Sequence, residues 1–248
     1  MGVGRAGPPS GRYHGPVIRA LLFDFNGVLV DDEPLHLELF QRVLAEEGLG
    51  PLTAEDYYGR YLGFDDRGYF SAVLVAAGRA VEPPWLARLI ACKASYYRDE
   101  IHRRGYPFFP GAVALVEAAA ARGWMLGVVS GALREEVEGA LRQAAIRDRF
   151  KVLVTAEDVE AGKPDPASYQ LALAELNSQP PLPARLIHPH KALAIEDSPA
   201  GLDSAAAAGL TTLGVAHSYP ADRLARAGAV VETLAGITPE RLQELVGG

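Results

Sequence analysis

Several residues whose side chains could bind or transfer a phosphoryl group follow short apolar runs of this 248-residue chain. They supply a nucleophile, a hydroxyl, a cation and a pair of carboxylates. In chain order they are Asp24, Asn26, Ser130, Lys163, Glu196 and Asp197. Hard oxygen ligands suit Mg²⁺, while a hydroxyl and a cation suit phosphoryl oxygens. The set predicts Mg²⁺-dependent phosphoryl chemistry if the fold brings these residues together.

The apolar runs themselves are typical of strands in a sheet that is buried on both faces. They span residues 17–25, 124–130, 151–155, 192–197 and 211–216. Helical patterns lie between them, at residues 112–121, 133–145, 166–176 and 199–208. This alternation predicts a doubly wound, Rossmann-like α/β fold with a parallel sheet. Ligands of such sheets bind beyond the carboxyl ends of the strands, where the polar residues stand.

The alternation is interrupted between residues 32 and 107, where the patterning is helical. Pro34 suits the first turn of a helix, and another helix is expected over residues 85–101. We therefore predict a small α-helical cap domain at 32–107, inserted into a core domain formed by 17–31 and 108–248. Residues 1–16 are predicted to be a disordered tail.

Four short motifs occur in the order expected for one enzyme family. They are residues 24–31 (DFNGVLVD), Ser130-Gly131-Ala132, Gly162-Lys163-Pro164 and residues 196–201 (EDSPAG). Together with the helical insert after the first motif, they resemble the haloacid dehalogenase superfamily. The likeness is greatest to the branch of β-phosphoglucomutase and sugar-phosphate phosphatases. The resemblance implies a phosphoric monoester hydrolase that uses Mg²⁺.

The resemblance also implies a role for each motif residue. Asp24 would attack phosphorus, Lys163 would balance charge, and the carboxylates and the Asn26 carbonyl would hold the metal. The phosphate would bind at Ser130, Gly131 and Ala132, and the metal at Asp24, Asn26, Glu196 and Asp197. An ordinary structural role also stays open for each residue: a capped turn for Asp24, a helix cap for Ser130, or a solvated loop for Lys163 and the late carboxylates.

Three residues of the insert resemble substrate-side positions of β-phosphoglucomutase. They are His36, Lys93 and Arg67, although Asp66 stands where that resemblance would place the arginine. The alternative for all three is surface charge on an exposed cap.

Asn26 departs from the family pattern, because the resemblance places an acid–base aspartate there. An amide exchanges no proton near neutral pH, and losing a general acid–base costs on the order of 10²–10⁴ in rate. Four alternatives stay open: a slow or specialised phosphatase, a phosphosugar mutase, a silent phosphate-binding protein, and an engineered Asp-to-Asn trap.

The amino-acid composition limits the kinds of molecule that the protein is expected to bind. The net charge of −7 disfavours nucleic acid, and no apolar run reaches membrane-spanning length. Cys92 is the single cysteine, and no signal peptide is recognisable, so we expect a cytoplasmic protein. We expect a monomer whose partner is a small phosphorylated metabolite.

Overall fold

A computed structural model describes residues 17–62, 64 and 66–247. The predicted tail at 1–16 lies outside the described residues. In the described part of the chain, a parallel sheet of six strands forms the centre. The strands are β1 (Ala20–Phe23), β2 (Met125–Val129), β3 (Phe150–Val154), β4 (Ala192–Glu196), β5 (Thr211–Val215) and β6 (Ala229–Val231). Their order across the sheet is β3-β2-β1-β4-β5-β6.

Both faces of this sheet are covered, which is why its strands are almost wholly apolar. Leu21 and Phe23 of β1 pack with the helices of one face, and Ala20 and Leu22 pack with those of the other. The first face carries α5 (Ala112–Ala121), α6 (Arg134–Gln143) and α9 (Pro239–Val246); the second carries α7 (Ala167–Ser178) and α8 (Pro199–Ala207). The predicted doubly wound α/β fold is confirmed.

The segment between β1 and α5 is helical and has a hydrophobic core of its own. Its helices are α1 (Glu33–Glu46), α2 (Ala54–Asp56), α3 (Asp66–Ala76) and α4 (Pro83–Arg104), with a π-helical turn at Tyr57–Tyr61. Phe40, Tyr57, Tyr69 and Phe70 are buried in that core. Pro34 and Pro83 lie in the first turns of α1 and α4, where the missing N–H costs nothing. The domain boundaries at 31/32 and 107/108 remain a prediction.

The sequence patterns located the other elements unevenly. The prediction for α5 coincides with its observed bounds, and the ends of the other predicted elements shift by a few residues. The patterns did not indicate α3, α9 or β6. The last is three residues long and, among the described strands, pairs with β5 alone at the edge of the sheet. No described helix is long and apolar enough to cross a membrane.

Candidate active site

Strand register brings the first and last motifs to the same level of the sheet. Phe23 of β1 pairs with Ile195 of β4, and the Asp24 N–H donates to the Ile195 carbonyl at 3.0 Å. Asp24 therefore follows β1 at the carboxyl edge, beside Glu196 at the end of β4. Asp197 comes next, and Ser198 caps α8 by accepting from the Gly201 N–H at 3.1 Å.

Lys163 reaches this edge from the loop that follows β3. Its Nζ lies 2.7 Å from Asp24 Oδ1 and 2.6 Å from Glu196 Oε1, and it donates to the Val129 carbonyl at 2.9 Å. Burial alone would lower the pKa of Lys163, but the two carboxylates outweigh burial and raise it above its usual value. Lys163 is therefore a fixed cation beside Asp24, and not a solvated loop residue.

Asp24, Glu196 and Asp197 form a compact acidic cluster, with one oxygen of each within 4.8 Å of the others. Burial and the Asp24 charge raise the pKa of Glu196 to about 7, and burial and both neighbouring carboxylates raise that of Asp197 well above its usual value. Glu196 Oε2 is buried and has no hydrogen-bond partner among the described residues. A hard divalent cation would satisfy this oxygen and offset the clustered negative charge, so the residues fit Mg²⁺.

Further residues hold the two late carboxylates, and sequence reasoning missed them. The Tyr169 hydroxyl donates to Glu196, and the Ser218 hydroxyl donates to Asp197. A Cβ at Gly201 would collide with Glu196, and one at Gly27, whose φ is +78°, would collide with Asp197. Gly27 and Gly201 belong to the first and fourth motifs, although not as predicted contacts of the carboxylates, whereas Tyr169 and Ser218 lie in ordinary apolar and turn patterns.

The Ser130 motif lies between the end of β2 and the start of α6. Ser130 Oγ accepts from the Ala132 N–H at 2.9 Å, and the helix begins at Arg134, with Leu133 at its N-cap. Ser130 is therefore not the cap of α6. The loop instead places its backbone near the positive end of that helix, where anions are stabilised.

A cavity of about 670 Å³ lies between this loop and helices α1, α3 and α4 of the inserted segment. Its lining includes every predicted substrate-binding residue except Ser130. Those residues are His36, Arg67, Lys93, Gly131 and Ala132, and Asn26 also lines the cavity. The volume would accommodate a phosphorylated metabolite of sugar size.

Comparison with known proteins agrees with this geometry. Residues 21–215 match the profile of the family described as haloacid dehalogenase-like hydrolase. The chain belongs to that family. It is 29% identical to a phosphorylated carbohydrates phosphatase of Thermotoga maritima, covering 86% of this chain and 93% of the relative. It is also 29% identical to a phosphoglycolate phosphatase of Rhodospirillum rubrum, covering 86% of this chain and 85% of the relative.

A solved β-phosphoglucomutase of Clostridium difficile shares the fold of this hydrolase. The two superpose with a TM-score of 0.75 over 92% of this chain and 97% of the other, at 20% identity. The predicted family is confirmed, and the named relatives indicate a hydrolase of phosphoric monoesters.

In this hydrolase the cap cation Lys93 is already neutralised. Its side chain is 3% exposed, forms an ion pair with Asp66 and lies 2.8 Å from His36 Nδ1. Its Nζ also lies 4.3 Å from the centre of the Phe40 ring. Asp66 is therefore the counter-ion of Lys93, a relationship that the sequence did not reveal.

The Asn26 side chain points to Asp32, a carboxylate that is 1% exposed. Asp32 also accepts from the Tyr97 hydroxyl at 2.7 Å, and its Oδ2 lies 3.3 Å from His36 Nε2. Burial alone would raise the pKa of Asp32, but these three donors outweigh burial and lower it. Asn26 thus stands where the resemblance places an acid–base aspartate, and its side chain instead donates to the buried Asp32 carboxylate.

Proposed function

We propose that this hydrolase is a Mg²⁺-dependent phosphatase that forms an aspartyl-phosphate on Asp24. The proposed substrate is a phosphorylated carbohydrate or a similar small metabolite. The observation that carries the proposal is the position of Lys163, whose Nζ lies 2.7 Å from Asp24 Oδ1 and 2.6 Å from Glu196 Oε1. A nucleophilic carboxylate, a fixed cation and a divalent metal site are the parts that phosphoryl transfer needs.

In the first half-reaction an Asp24 oxygen attacks phosphorus, and the bond from phosphorus to the leaving oxygen breaks. Lys163 offsets negative charge on Asp24 and on the phosphoryl oxygens, and the Ser130 hydroxyl and the Gly131 N–H would donate to those oxygens. When bound, Mg²⁺ would neutralise the same oxygens; Asp24, Glu196, Asp197 and the Asn26 carbonyl would hold it. The leaving oxygen keeps the electron pair of the broken bond and takes a proton from water.

In the second half-reaction water attacks phosphorus and the Asp24 carboxylate departs. The attacking water loses its proton to solvent, because the Asn26 amide accepts none. Leaving groups that need no protonation should therefore turn over best, and the phospho-enzyme should be long-lived.

A second candidate function is phosphate binding without turnover. The contact between the Asn26 amide and Asp32 favours it, because this contact leaves no acid–base at position 26. The same contact disfavours a mutase, which must protonate and deprotonate sugar hydroxyls.

The test measures phosphate release from an aryl phosphate, acetyl phosphate and a sugar phosphate, with and without Mg²⁺. The proposal predicts Mg²⁺-dependent release that is abolished in Asp24→Asn and kept in Asp203→Asn, a change of an exposed carboxylate on α8. Binding of inorganic phosphate without any release would establish the second candidate.

A further inference from the structure

The cleft between core and cap carries more negative than positive charge. Among the described residues, three carboxylates line it against two permanent cations, with His36 beside them. The carboxylates are Glu33, Asp66 and Glu136, and the cations are Arg67 and Lys93. The phosphoryl group of a substrate would lie beyond this region, at Lys163 and the acidic cluster. The charge of the cleft therefore acts on the remainder of the substrate.

Lys93 contributes little to the attraction of an anion. It is buried, and its charge is matched by the Asp66 carboxylate with which it forms an ion pair. His36 on its other side shares a further hydrogen bond. A second anionic group of a substrate would have to displace Asp66 before it could pair with this ammonium group, and the displaced carboxylate would then lack its own partner.

Arg67 is left as the cation of this cleft that forms no ion pair within the described part of the chain. Its residue is exposed, so solvent and salt weaken its attraction for a ligand. Glu136 faces the cap from the core side, and its carboxyl interacts with His36, Asp32 and Lys93. The exposed Arg67 is therefore outnumbered by carboxylates on the two sides of the cleft: Glu33 and Asp66 on the side of the insert, and Glu136 on the side of the core.

We propose that the cleft selects phosphate monoesters whose remaining part carries hydroxyl groups and no second anionic group. This inference rests on the phosphatase function proposed above and narrows its substrate class. Carboxylate oxygens on both walls accept hydrogen bonds from hydroxyls, whereas a carboxylate or second phosphate on the substrate would face like charge. Two of the relatives are named for a phosphorylated carbohydrate and for phosphoglycolate, which carries a carboxylate. The cleft suits the first kind of substrate and not the second.

Protonation of Glu136 does not remove this preference. Burial raises the pKa of the Glu136 carboxyl, and a neutral carboxyl would repel a second anion less. A neutral Glu136 still donates or accepts hydrogen bonds with hydroxyls, and it supplies no cation to an anion. The ion pair of Lys93 with Asp66 is unaffected by that protonation.

The experiment compares two open-chain six-carbon substrates, sorbitol 6-phosphate and 6-phosphogluconate. At the end opposite the phosphate, sorbitol 6-phosphate carries a hydroxymethyl group and 6-phosphogluconate carries a carboxylate. We expect kcat/KM for sorbitol 6-phosphate to be higher by about tenfold or more, as repulsion by one uncompensated charge would give. Glu136→Gln and Asp66→Asn should each reduce this ratio several-fold. Glu135→Gln, an exposed neighbour on α6 outside the cavity lining, should leave the ratio unchanged.

Equal kcat/KM for the two substrates, or a preference for 6-phosphogluconate, would overturn the inference. So would an unchanged ratio in the Glu136→Gln variant, which keeps the Lys93 ion pair and hence the fold. Failure of the phosphatase proposal is distinguishable, because an aryl phosphate would then not be hydrolysed either. In that case the dissociation constants of the same two compounds, measured by calorimetry, test the inference. We again expect a preference of about tenfold for sorbitol 6-phosphate.

Discussion

Asn26 Nδ2 lies 3.0 Å from both carboxylate oxygens of Asp32. The amide is a donor that a buried, ionised carboxylate accepts without electrostatic conflict. An ionised aspartate at position 26 would instead face Asp32 as a like charge, and one of the two carboxyls would have to hold a proton. The residues at 26 and 32 therefore form a matched pair, and changing Asn26 alone breaks the match.

The swap variant Asn26→Asp with Asp32→Asn should restore an acid–base beside Asp24. It reverses the hydrogen bond and conserves charge, so we expect it to raise the turnover of a sugar phosphate by about 10² or more. Acetyl phosphate, whose leaving group needs no protonation, should gain little. Steady-state kinetics on both substrates measure the contrast.

The single variant Asn26→Asp is the control for this swap. Its buried like-charge pair should make it less stable than the swap variant and less active on sugar phosphates above neutral pH. Equal turnover in the single and swap variants would show that Asp32 does not govern position 26. Turnover of the unchanged protein as fast as that of the swap would show that another group, with His36 the nearest candidate, supplies the acid.

Asp32 should stabilise the fold in a pH-dependent way. Its pKa is lowered in the folded state, so its contribution is present above the unfolded pKa of about 3.9 and is lost as pH falls through the folded value. We expect Asp32→Asn to lower the free energy of unfolding by about 1–3 kcal/mol at pH 7, and by progressively less below pH ~4. Asp99→Asn, an exposed change on α4, should stay within about 0.5 kcal/mol. Chemical denaturation at several pH values measures both variants, and a constant difference would contradict the linkage.

The metal site should depend on the two late carboxylates. The double variant Glu196→Gln, Asp197→Asn should weaken Mg²⁺ binding by about a hundredfold or more, because two of its hard anionic ligands become neutral. Calorimetric titration measures the affinity directly. The matched pair Glu55→Gln, Asp56→Asn, at the surface of α2, serves as control, and unchanged affinity in the first variant would refute the site.

Tyr169 should influence the same site through Glu196. Its hydroxyl and Lys163 both contact Glu196 Oε1, and Oε2 has no hydrogen-bond partner in the part of the chain that the structure describes. Removing the hydroxyl in Tyr169→Phe should free Glu196 to rotate and weaken Mg²⁺ binding by about 10-fold, within the range of residues that support metal ligands. A Mg²⁺ affinity equal to that of the unchanged protein would exclude this positioning role.

The sequence predicted the sheet and the motif residues because both depend on local patterns. Apolar runs gave the strands, and parallel register then placed Asp24 beside Glu196 without further information. Contacts that depend on how helices pack were not predictable in this way. Lys93 and Asp66 lie on α4 and α3, and their pairing follows from the packing of those helices in the cap.

Asp32, which directly follows the first motif, shows the same limit. Sequence reasoning treated it as the start of the cap, because nothing local shows that the Asn26 side chain turns back to it. Another of its partners, Tyr97, is 65 residues away on α4. The sequence therefore shows that Asn26 replaces the aspartate of the family pattern, but only the structure shows that Asn26 donates to the buried Asp32 carboxylate.

Trapping the phospho-enzyme tests most directly whether Asp24 accepts the phosphoryl group. The protein is incubated with acetyl phosphate and Mg²⁺, quenched in acid and mapped by peptide mass, which also detects any deamidation at Asn26-Gly27. We expect a phosphoryl adduct on the peptide that contains Asp24. The adduct should be long-lived with Asn26, shorter-lived in the swap variant and absent in Asp24→Asn. Release of phosphate by undeamidated protein with no adduct at Asp24, or with the adduct on another residue, would contradict this expectation.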